Sequence, residues 1–575
     1  MQNDKLLGEI RADGLNSDNN QKKRWEQWNE NYLLYRDKVV TNRLVQRQPV
    51  NVGIIRETVR TWVSKIDEAP KLSYKAKGRA NADKKAELIW NELYSFYYTD
   101  LKLDLLDNQE KKIVALQGRC FKKIGFDHEN NKPFVSIIDP YDIEIDPRCN
   151  IFDLETANYI NHKHIYRALR TILANDKYDS KGKDDLKKYL DSNTGIIESG
   201  ALEESRIQRD ARLQALGKFN FDEFGARDTV VEIKECYKLI WDNASGKFVR
   251  YLIIIAANNA ILYKKPLKDA LGVDFLPFIT WADDPDINDI WCDGVADAVR
   301  STNKIGNVYM SQTLENRTYI NFGMTFYDNT NEKFMPETLD PKPFGFYGVP
   351  GKPSDIMQQM DIKPLTGTIE EMEYFRRTAQ TSVAITPSEL GIEDGGEKTL
   401  GAKKLNLSNS QGRLTPTAKN YRAAWKEFGW KFYEIVCANM NDKITLYKKG
   451  VDDEYYPADI YPKDLKSVHG FELDVIFQSE RDQQDQSALE KAQFVQQQFA
   501  SNPAAQKIAK RKALETLGWT PDEIQEVQDA EDQMMANAAN GGIGAGAVGS
   551  GIDPVVGSDM QPTPDQLLAQ AQSIK

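Results

Sequence analysis

Residues that form covalent or metal cross-links are scarce in this 575-residue sequence. Its cysteines are few, far apart and odd in number, with no C-x-x-C pair. This excludes a disulfide framework and a zinc finger, and predicts the reduced thiols of a cytosolic protein. They are Cys120, Cys149, Cys236, Cys292 and Cys437. His162 and His164 have the spacing of half a metal site, but no third ligand is evident, so we interpret them as ordinary strand residues.

Catalytic and nucleotide-binding motifs are also missing. No serine or cysteine is paired with a histidine in the pattern of a nucleophilic enzyme. No G-x-x-x-x-G-K-[ST] loop is present, which excludes a P-loop ATPase. The letters GAGAVG at 544–549 match a dinucleotide-binding pattern, but they lie in a glycine-rich tail with no preceding strand. We therefore expect no catalytic residue, no cofactor, no bound metal and no enzymatic activity.

Long apolar segments are absent too. The longest apolar run, 251–257, is far too short to cross a bilayer, and the first residues lack the apolar core of a signal peptide. Acidic residues outnumber basic ones by 86 to 75, and the net charge of −11 opposes unaided binding to DNA phosphates. A composition of 41% apolar and 28% charged residues is typical of a folded protein of several domains that does not enter a membrane.

Apolar spacing predicts both helices and strands, and therefore an α+β fold. We expect four helices before residue 118, then antiparallel hairpins at 119–138 and 230–256. Three longer helices should follow at 293–320, 368–385 and 415–440. The first of these three is polar and poor in apolar side chains. We expect that it cannot be wrapped in its own chain's core and packs sideways against other copies of the chain.

The stretch VSIIDPYDIEIDPRCN, at 135–150, has two interpretations. Asp142, Glu144 and Asp146 alternate along an extended segment and would share one face, as in a metal-dependent nuclease. Alternatively, its two Asp-Pro pairs start turns whose carboxylates accept hydrogen bonds from nearby backbone amides. We favour the turns and keep the nuclease as an alternative. The turn residues are Asp139, Pro140, Asp146 and Pro147.

Several stretches, taken in order, carry a resemblance to one family. Two aromatic helices come first, in RWEQWNENYLLYR and QPVNVGIIRETVRTWVSKI. A strand and a turn follow, in GRCFKKIGFD and IIDPYDIEIDP. Then LPFITWADD leads into WCDGVADAVRSTNKIGNVYMSQTLENR. An aromatic, proline-rich insert, a returning helix, a loop and a long helix come next. This order resembles the portal proteins of tailed bacteriophages, closest to the type of short-tailed phages. The resemblance covers roughly residues 20–530, and the tail beyond carries no recognisable match.

The resemblance implies a portal fold of the α+β class, with a mixed α/β wing, a two-helix stem, a small α/β clip and a helical crown. The implied domains are an N-terminal wing of helices and β-hairpins (1–290), first stem helix (291–322), clip (323–366), second stem helix (367–385), tunnel loop (386–400), the wing's long helix and closing strands (401–480), helical crown (481–530) and a low-complexity, disordered tail (531–575).

The resemblance also implies a function and partners. Portal proteins form a homo-oligomeric ring of about twelve subunits at one capsid vertex, closed by heterologous contacts. Double-stranded DNA passes through its channel during packaging and ejection. The ring docks the large terminase and then tail adaptor proteins, and it contacts the major capsid protein and scaffold. The protein is therefore expected in the virion, assembled in the host cytoplasm, with no membrane partner. A ring adaptor of a non-phage assembly remains an alternative.

Two groups of residues are candidates for functional contacts, one in the tunnel loop of the channel and one in the clip. The tunnel-loop candidates form a mostly acidic collar, with glycines that let it bend: Glu389, Gly391, Glu393, Asp394, Gly395, Gly396, Glu397 and Lys398. The clip aromatics are candidate contacts for the terminase and adaptors: Phe334, Phe344, Phe346 and Tyr347.

Overall fold

The structure is a computed structural model that divides into two units, Met1–Glu480 and Arg481–Lys575. It describes residues 2–38, 49–66, 70–78, 81–192, 230–243, 246–322, 325–327, 351–352, 354, 357–359, 362–385, 415–449, 455–467, 469–476 and 511. The predicted tunnel loop, crown helices and tail, and the four clip aromatics, lie outside the described residues. The architecture below is that of the first unit.

The first helix, α1 (Gln2–Tyr35), is much longer than the short aromatic helix that the sequence predicts. Its second half carries the predicted aromatic stripe, and Trp25 and Trp28 are buried. Its first half packs as well, because Leu6 and Ile10 form a small apolar cluster with the central strands of a sheet. Only one apolar side chain per turn or so marks this half, which is why its periodicity is weak.

Three further helices and one strand complete the N-terminal part. They are α2 (Ile54–Lys65), β1 (Lys71–Ala76), α3 (Asn81–Asp100) and α4 (Leu103–Gln117). Trp62 of α2 and Trp90 of α3 are almost fully buried in the largest apolar cluster of the described chain. The four helices predicted before residue 118 are therefore confirmed.

Five antiparallel strands form the larger sheet, in the order β4-β5-β6-β7-β8. The predicted hairpin at 230–256 is its centre. The strands are β4 (Ile143–Ile145), β5 (Tyr159–Ala168), β6 (Val230–Asp242), β7 (Lys247–Ala256) and β8 (Ala260–Pro266). Helices α5 (Leu169–Ala174) and α6 (Ser180–Ser192) add a small apolar cluster with Ile172 and Leu186 against it.

The other predicted hairpin, at 119–138, lies in a three-stranded sheet with the strand order β3-β2-β9. The sheet consists of β2 (Arg119–Asp127), β3 (Lys132–Ile138) and β9 (Phe278–Ala282), and a short helix, α7 (Leu267–Leu271), precedes β9. Trp281 of β9 lies in the same large apolar cluster as Trp62 and Trp90. This sheet and the N-terminal helices thus share one core.

The three predicted long helices are present as α8 (Val295–Phe322), α9 (Thr368–Ser382) and α10 (Thr415–Asn439). Between α8 and α9, the short strand β10 (Thr325–Tyr327) pairs with β11 (Met357–Gln359). After α10, β12 (Ile444–Lys449) pairs with β13 (Tyr455–Ile460). After the short α11 (Pro462–Leu465), strand β14 (Phe471–Ile476) returns to pair antiparallel with β1. The late strand of the described chain therefore closes onto its N-terminal part.

All five cysteines are buried and free. Among the residues that the structure describes, no helix is both long and apolar enough to span a bilayer. The mixture of helices and antiparallel sheets confirms the α+β class.

Two glycines of α1 differ in what surrounds them, which gives a matched test of its packing. Gly8 has no atom near the position of an added Cβ, so Gly8→Ala should raise the free energy of unfolding by about 1 kcal/mol through helix propensity. At Gly14 the added Cβ would lie 2.9 Å from Oε2 of Glu144. We therefore expect Gly14→Ala to give no such increase in the free energy of unfolding. The measurement is urea denaturation followed by tryptophan fluorescence. An equal gain at both positions would show that α1 does not pack closely on Glu144.

Candidate functional site: two long helices and their supports

The acidic cluster at 139–146 forms turns and buried ion pairs. Oδ1 of Asp139 accepts a hydrogen bond from Tyr141 N at 3.2 Å, at the start of a 3₁₀ turn that begins with Pro140. Oδ1 of Asp146 accepts from Arg148 N at 3.0 Å across Pro147. Each of the two Asp-Pro pairs thus closes its own turn, the geometry that the sequence favours for them.

The other carboxylates of the cluster have separate partners. Glu144 is fully buried, where Lys234 Nζ lies 2.9 Å and Lys163 Nζ 3.5 Å from its Oε1. Asp142 instead contacts His164 Nδ1 at 2.8 Å. Two ammonium groups on one carboxylate occupy the space that a divalent cation needs. Within the described ranges, no group of three or more His, Cys, Asp or Glu side chains is placed to hold a metal ion. These contacts argue against the metal-dependent nuclease.

The two strand histidines are not equivalent. The register of β5 against β6 shifts between His162 and Ile165, and His164 has a positive φ of 59°, the signs of a β-bulge. Nδ1 of His162 is buried without a hydrogen-bond partner. Burial, followed by the nearby Lys123, lowers the pKa of His162 from 6.5 to about 4. His162 is therefore neutral at physiological pH, while His164 contacts the carboxylate of Asp142.

Helix α8 contradicts one prediction in its first half. Val295, Ala296 and Val299 are buried in the large apolar cluster of their own chain. The expectation that this helix cannot be wrapped in its own core is therefore wrong for these turns. Its polar residues also face inward, since Asn303, Asn307 and Ser311 are buried. The low apolar content, on which the expectation rested, reflects buried polar contacts rather than an exposed helix.

The side chains of those buried asparagines accept hydrogen bonds from the backbone at the start of α2. Oδ1 of Asn307 accepts from Val52 N at 2.8 Å, and Oδ1 of Asn303 accepts from Ile55 N at 3.2 Å. The N-cap of α2 is Gly53, at a φ of 76°, which offers no side-chain cap of its own. Amide groups at an uncapped helix start need acceptors when they are buried. Helix α8 supplies them from outside, and so fixes its own position on α2.

Helix α9 is tied to the same support. Arg376 Nη2 lies 2.5 Å from Oε1 of Glu57 on α2. Lys65, in the last turn of α2, donates a hydrogen bond to Ala384 O just beyond the end of α9. The rings of Tyr309 on α8 and Phe375 on α9 are 6.2 Å apart. Helix α2 therefore contacts both long helices, and its last turn holds the backbone just beyond α9.

The outward faces of α8 and α9 carry large apolar side chains. On α8 these are Ile305, Leu314 and Ile320. On α9, Ile369 is 66% and Tyr374 68% exposed. Among the described residues, this surface has no covering element. Several large apolar side chains exposed on two neighbouring helices suit a contact with another protein molecule.

The predicted tunnel-loop residues, at 389–398, lie outside the described residues, and so do the four clip aromatics. What the structure describes are the points where these segments meet the body. The insert between α8 and α9 starts and ends in the antiparallel pair β10 and β11. Near its end, Asn316 Nδ2 donates to Lys363 O at 3.0 Å. Both ends of the insert are thus held together beside α8.

Comparison with known proteins identifies a family for the chain. A protein-family model described as phage SU10 portal protein matches residues 103–575, more than half of the chain. The chain belongs to this portal family. No curated protein sequence matches it.

Membership of the portal family confirms the resemblance and gives the chain a portal role in a phage particle. The portal family is one of structural proteins, and it implies a place at the capsid vertex. The matched region differs from the predicted extent in two respects. It continues through the tail to residue 575, where sequence analysis finds no recognisable match, and it begins after the aromatic helices of the N-terminus.

Sequence reasoning missed the contacts that hold the portal helices. Asn303 and Asn307 are four residues apart, a spacing that places both on one face of a helix. That spacing is the available signal, but it does not tell which backbone amides the side chains bond. The link from Lys65 to Ala384 spans more than 300 residues and leaves no local pattern.

Loss of the Asn303 contact should destabilise the portal subunit. Asn303→Ala leaves the buried amide of Ile55 without its acceptor, which should lower the free energy of unfolding by about 1–3 kcal/mol in urea denaturation. Asn321→Ala is the matched control, because Asn321 is exposed on the same helix. It should change the free energy by less than about 0.5 kcal/mol. Similar effects of the two variants would contradict the capping role.

His162 should make the portal subunit sensitive to acid. The unfolded chain binds this proton near pH 6.5, but folded His162 binds it only near pH 4. Stability is therefore fully present above pH 6.5 and falls as the pH drops towards 4. At 1.36 kcal/mol per pKa unit, the loss is about 3 kcal/mol.

His162→Gln should reduce the difference in unfolding free energy between pH 7 and pH 4 by about that amount, about 3 kcal/mol. The measurement is urea denaturation at each pH, compared with the unchanged chain. His128→Gln is the control, because His128 is exposed on the turn of the β2–β3 hairpin. A pH profile that His162→Gln leaves unchanged would disprove the role of its burial.

Proposed function

We propose that the chain forms a ring of about twelve copies at one capsid vertex, through which double-stranded DNA is packaged and later ejected. The observation that carries this proposal is the exposed apolar surface of α8 and α9. These helices are fixed to their own subunit on one side by α2 and carry large apolar side chains on the other. A helix pair built in this way suits the wall of an assembly made of identical subunits.

Hydroxyl groups on α9 support a contact between subunits. Thr378 Oγ1 donates to Tyr374 O at 2.9 Å, and Thr381 Oγ1 donates to Arg377 O at 2.8 Å. Both hydroxyl groups thus find acceptors within their own helix. The threonine methyl groups can then enter a helix–helix interface without leaving an unpaired donor. Together with Tyr374, they make this exposed face less polar than its sequence indicates.

The tunnel loop would act as a passive collar around moving DNA. Glu389, Glu393, Asp394 and Glu397 outnumber the single Lys398, so the candidate loop repels phosphate. A strongly basic wall would bind the duplex by counterion release and hold it in place. We infer that low attraction lets DNA slide, with the energy supplied by a separate ATPase. No P-loop motif is present in the sequence.

The clip would be the docking element. We propose that its aromatics, Phe334, Phe344, Phe346 and Tyr347, contact the large terminase during packaging and tail adaptors afterwards. The wing would contact the major capsid protein and scaffold. Assembly would take place in the host cytoplasm. The paired strands β10 and β11 support this division, because they gather the two ends of the insert at one place beside α8.

Negative-stain imaging and mass photometry of the full chain test the ring. We expect rings of about a dozen subunits with an axial hole wide enough for duplex DNA. Ile369→Asp with Tyr374→Asp should reduce the ring fraction at least tenfold, because charged groups would enter the interface. Leu15→Asp is the matched control, since Leu15 is 65% exposed on α1, away from these helices.

Two results would contradict the proposal. Single subunits at every soluble concentration, with no larger species, would remove the ring. Rings that form equally well with both aspartates in place would show that α8 and α9 do not make the wall.

A further inference from the structure

An open cleft of about 530 Å³ lies between the end of α1, α2 and the first half of α4. Tyr35, Val59, Val63 and Ile66 contribute apolar side chains to its walls, beside the polar Ser64 and Asn108. Its floor is the buried ion pair of Asp107 and Lys111, whose Oδ2 and Nζ are 2.6 Å apart. Because the two floor charges neutralise each other, an apolar side chain can pack beside them against the apolar part of the wall.

The rim of the cleft is positively charged. Arg60 and Lys112 are exposed there, opposed by the single exposed carboxylate of Asp104. In the described part of the chain, neither Arg60 nor Lys112 forms an ion pair. Two cations at the mouth of a cleft that is lined in part by apolar side chains favour an occupant that is apolar at its tip and acidic at its base.

The loop between β9 and α8 has that chemistry. Ile287 at its tip is 87% exposed, more than any other large apolar side chain of the described chain. Asp284 and Asp286 precede it and are also exposed. Oδ1 of Asp286 accepts from Asn288 N at 3.0 Å, which lowers the pKa of Asp286 and keeps it charged. The loop is an acidic turn with an isoleucine at its apex.

The base of this loop is firmly held. Thr417 Oγ1 donates to Oδ1 of Asp283 at 2.5 Å, and Asn420 Nδ2 donates to Ala282 O at 3.3 Å. On the other side, Oδ1 of Asp289 accepts from Trp291 N at 3.1 Å. An exposed isoleucine on a turn fixed at both ends is presented with little loss of conformational freedom on binding.

The loop does not fill the cleft of its own chain. It is anchored where Cys292 Sγ meets Gly118 O, 3.3 Å apart, at the end of α4. Asn108, in the wall of the cleft, is ten residues earlier in the chain, about 15 Å away along the helix. The cleft and the loop are therefore two separate surfaces of one subunit.

We propose that Ile287 of one subunit inserts into the cleft of a second copy of this chain, with Asp284 and Asp286 facing Arg60 and Lys112. Since the cleft and the loop are different surfaces, such contacts run head to tail, the arrangement that closes a ring. The inference deepens the proposed ring and rests on it for the number of copies. One loop is too small for a stable interface, so the contact sets the register of an interface that α8 and α9 complete.

Disulfide cross-linking between two variants tests the contact. One variant carries Ile287→Cys and the other Val63→Cys, and the two are mixed under ring-forming conditions with copper phenanthroline. All five native cysteines are buried and should not compete. We expect a covalent dimer in the mixture only, and a ladder of sizes when one chain carries both changes. Leu88→Cys mixed with Val63→Cys is the control, since Leu88 is 68% exposed on α3 and should give no dimer.

The outcomes separate this inference from the proposed function. Rings without any cross-link would overturn the inference and leave the ring standing. Cross-linking of Ile287→Cys with itself would overturn it in favour of a two-fold contact. Absence of both oligomers and cross-links would overturn the inference and the proposed ring together.

Charge reversal gives a second measurement. Arg60→Glu and Asp284→Lys should each lower the rate of ring assembly at least tenfold in light scattering, because like charges then face each other. Both changes in one chain should restore the rate to within about threefold, since the pair is reversed. Circular dichroism confirms that each variant is folded. If the assembly rate of the double variant falls by the product of the two single reductions, the proposed pairing of these charges would be overturned.

Discussion

The asparagine contacts between α8 and α2 are the constraint on which the rest of the subunit depends. Helix α2 starts at a glycine that gives no side-chain cap, and its first amides are buried. Asn303 and Asn307 of α8 supply the missing acceptors. A buried amide without an acceptor costs more than a neutral hydrogen bond contributes, so this geometry has few alternatives. Two helices that are far apart in the chain are thereby held in one arrangement.

That arrangement divides α8 into two functional parts. The turns near Val299 belong to the subunit's own core, and the turns near Leu314 and Ile320 carry their apolar groups outward. A helix that had to pack only on neighbours would depend on assembly for its position. Because α8 is fixed at one end by its own subunit, its other end would already be oriented for a neighbour in the proposed ring. Joining the proposed ring would then cost the subunit little conformational entropy.

Some of this organisation could be predicted from the sequence, and some could not. Long helices and hairpins leave a periodic pattern, so α8, α9, α10 and the two hairpins were predicted within a few residues. The first half of α1 was missed, because polar contacts hold it as well as apolar ones. Ser17 Oγ, for example, accepts from Ile145 N at 2.9 Å. Such a contact joins residues distant in the sequence and leaves no local signal.

The candidate site shows the same limit. The Asp-Pro turns could be predicted because their hydrogen bonds are local, as between Asp146 and Arg148. The state of Glu144 could not, because it depends on lysines from two other strands, Lys163 and Lys234. Buried ion pairs of this kind add little net stability, but breaking one leaves an uncompensated charge. The dense carboxylates that suggested a metal site from the sequence instead join α1 and three strands of the larger sheet.

The N-terminal helices matter to the portal fold even though the family model begins at residue 103. Helix α2 lies before that boundary, yet its Ile55, and Val52 just before it, donate hydrogen bonds to α8. Glu57 of α2 contacts α9, and Lys65 contacts the backbone just beyond α9. The matched region therefore contains the two long helices but not the element that positions them. Its buried contacts make α2 part of the same folding unit. The shape that a subunit brings to the ring is thus set partly by residues outside the matched region.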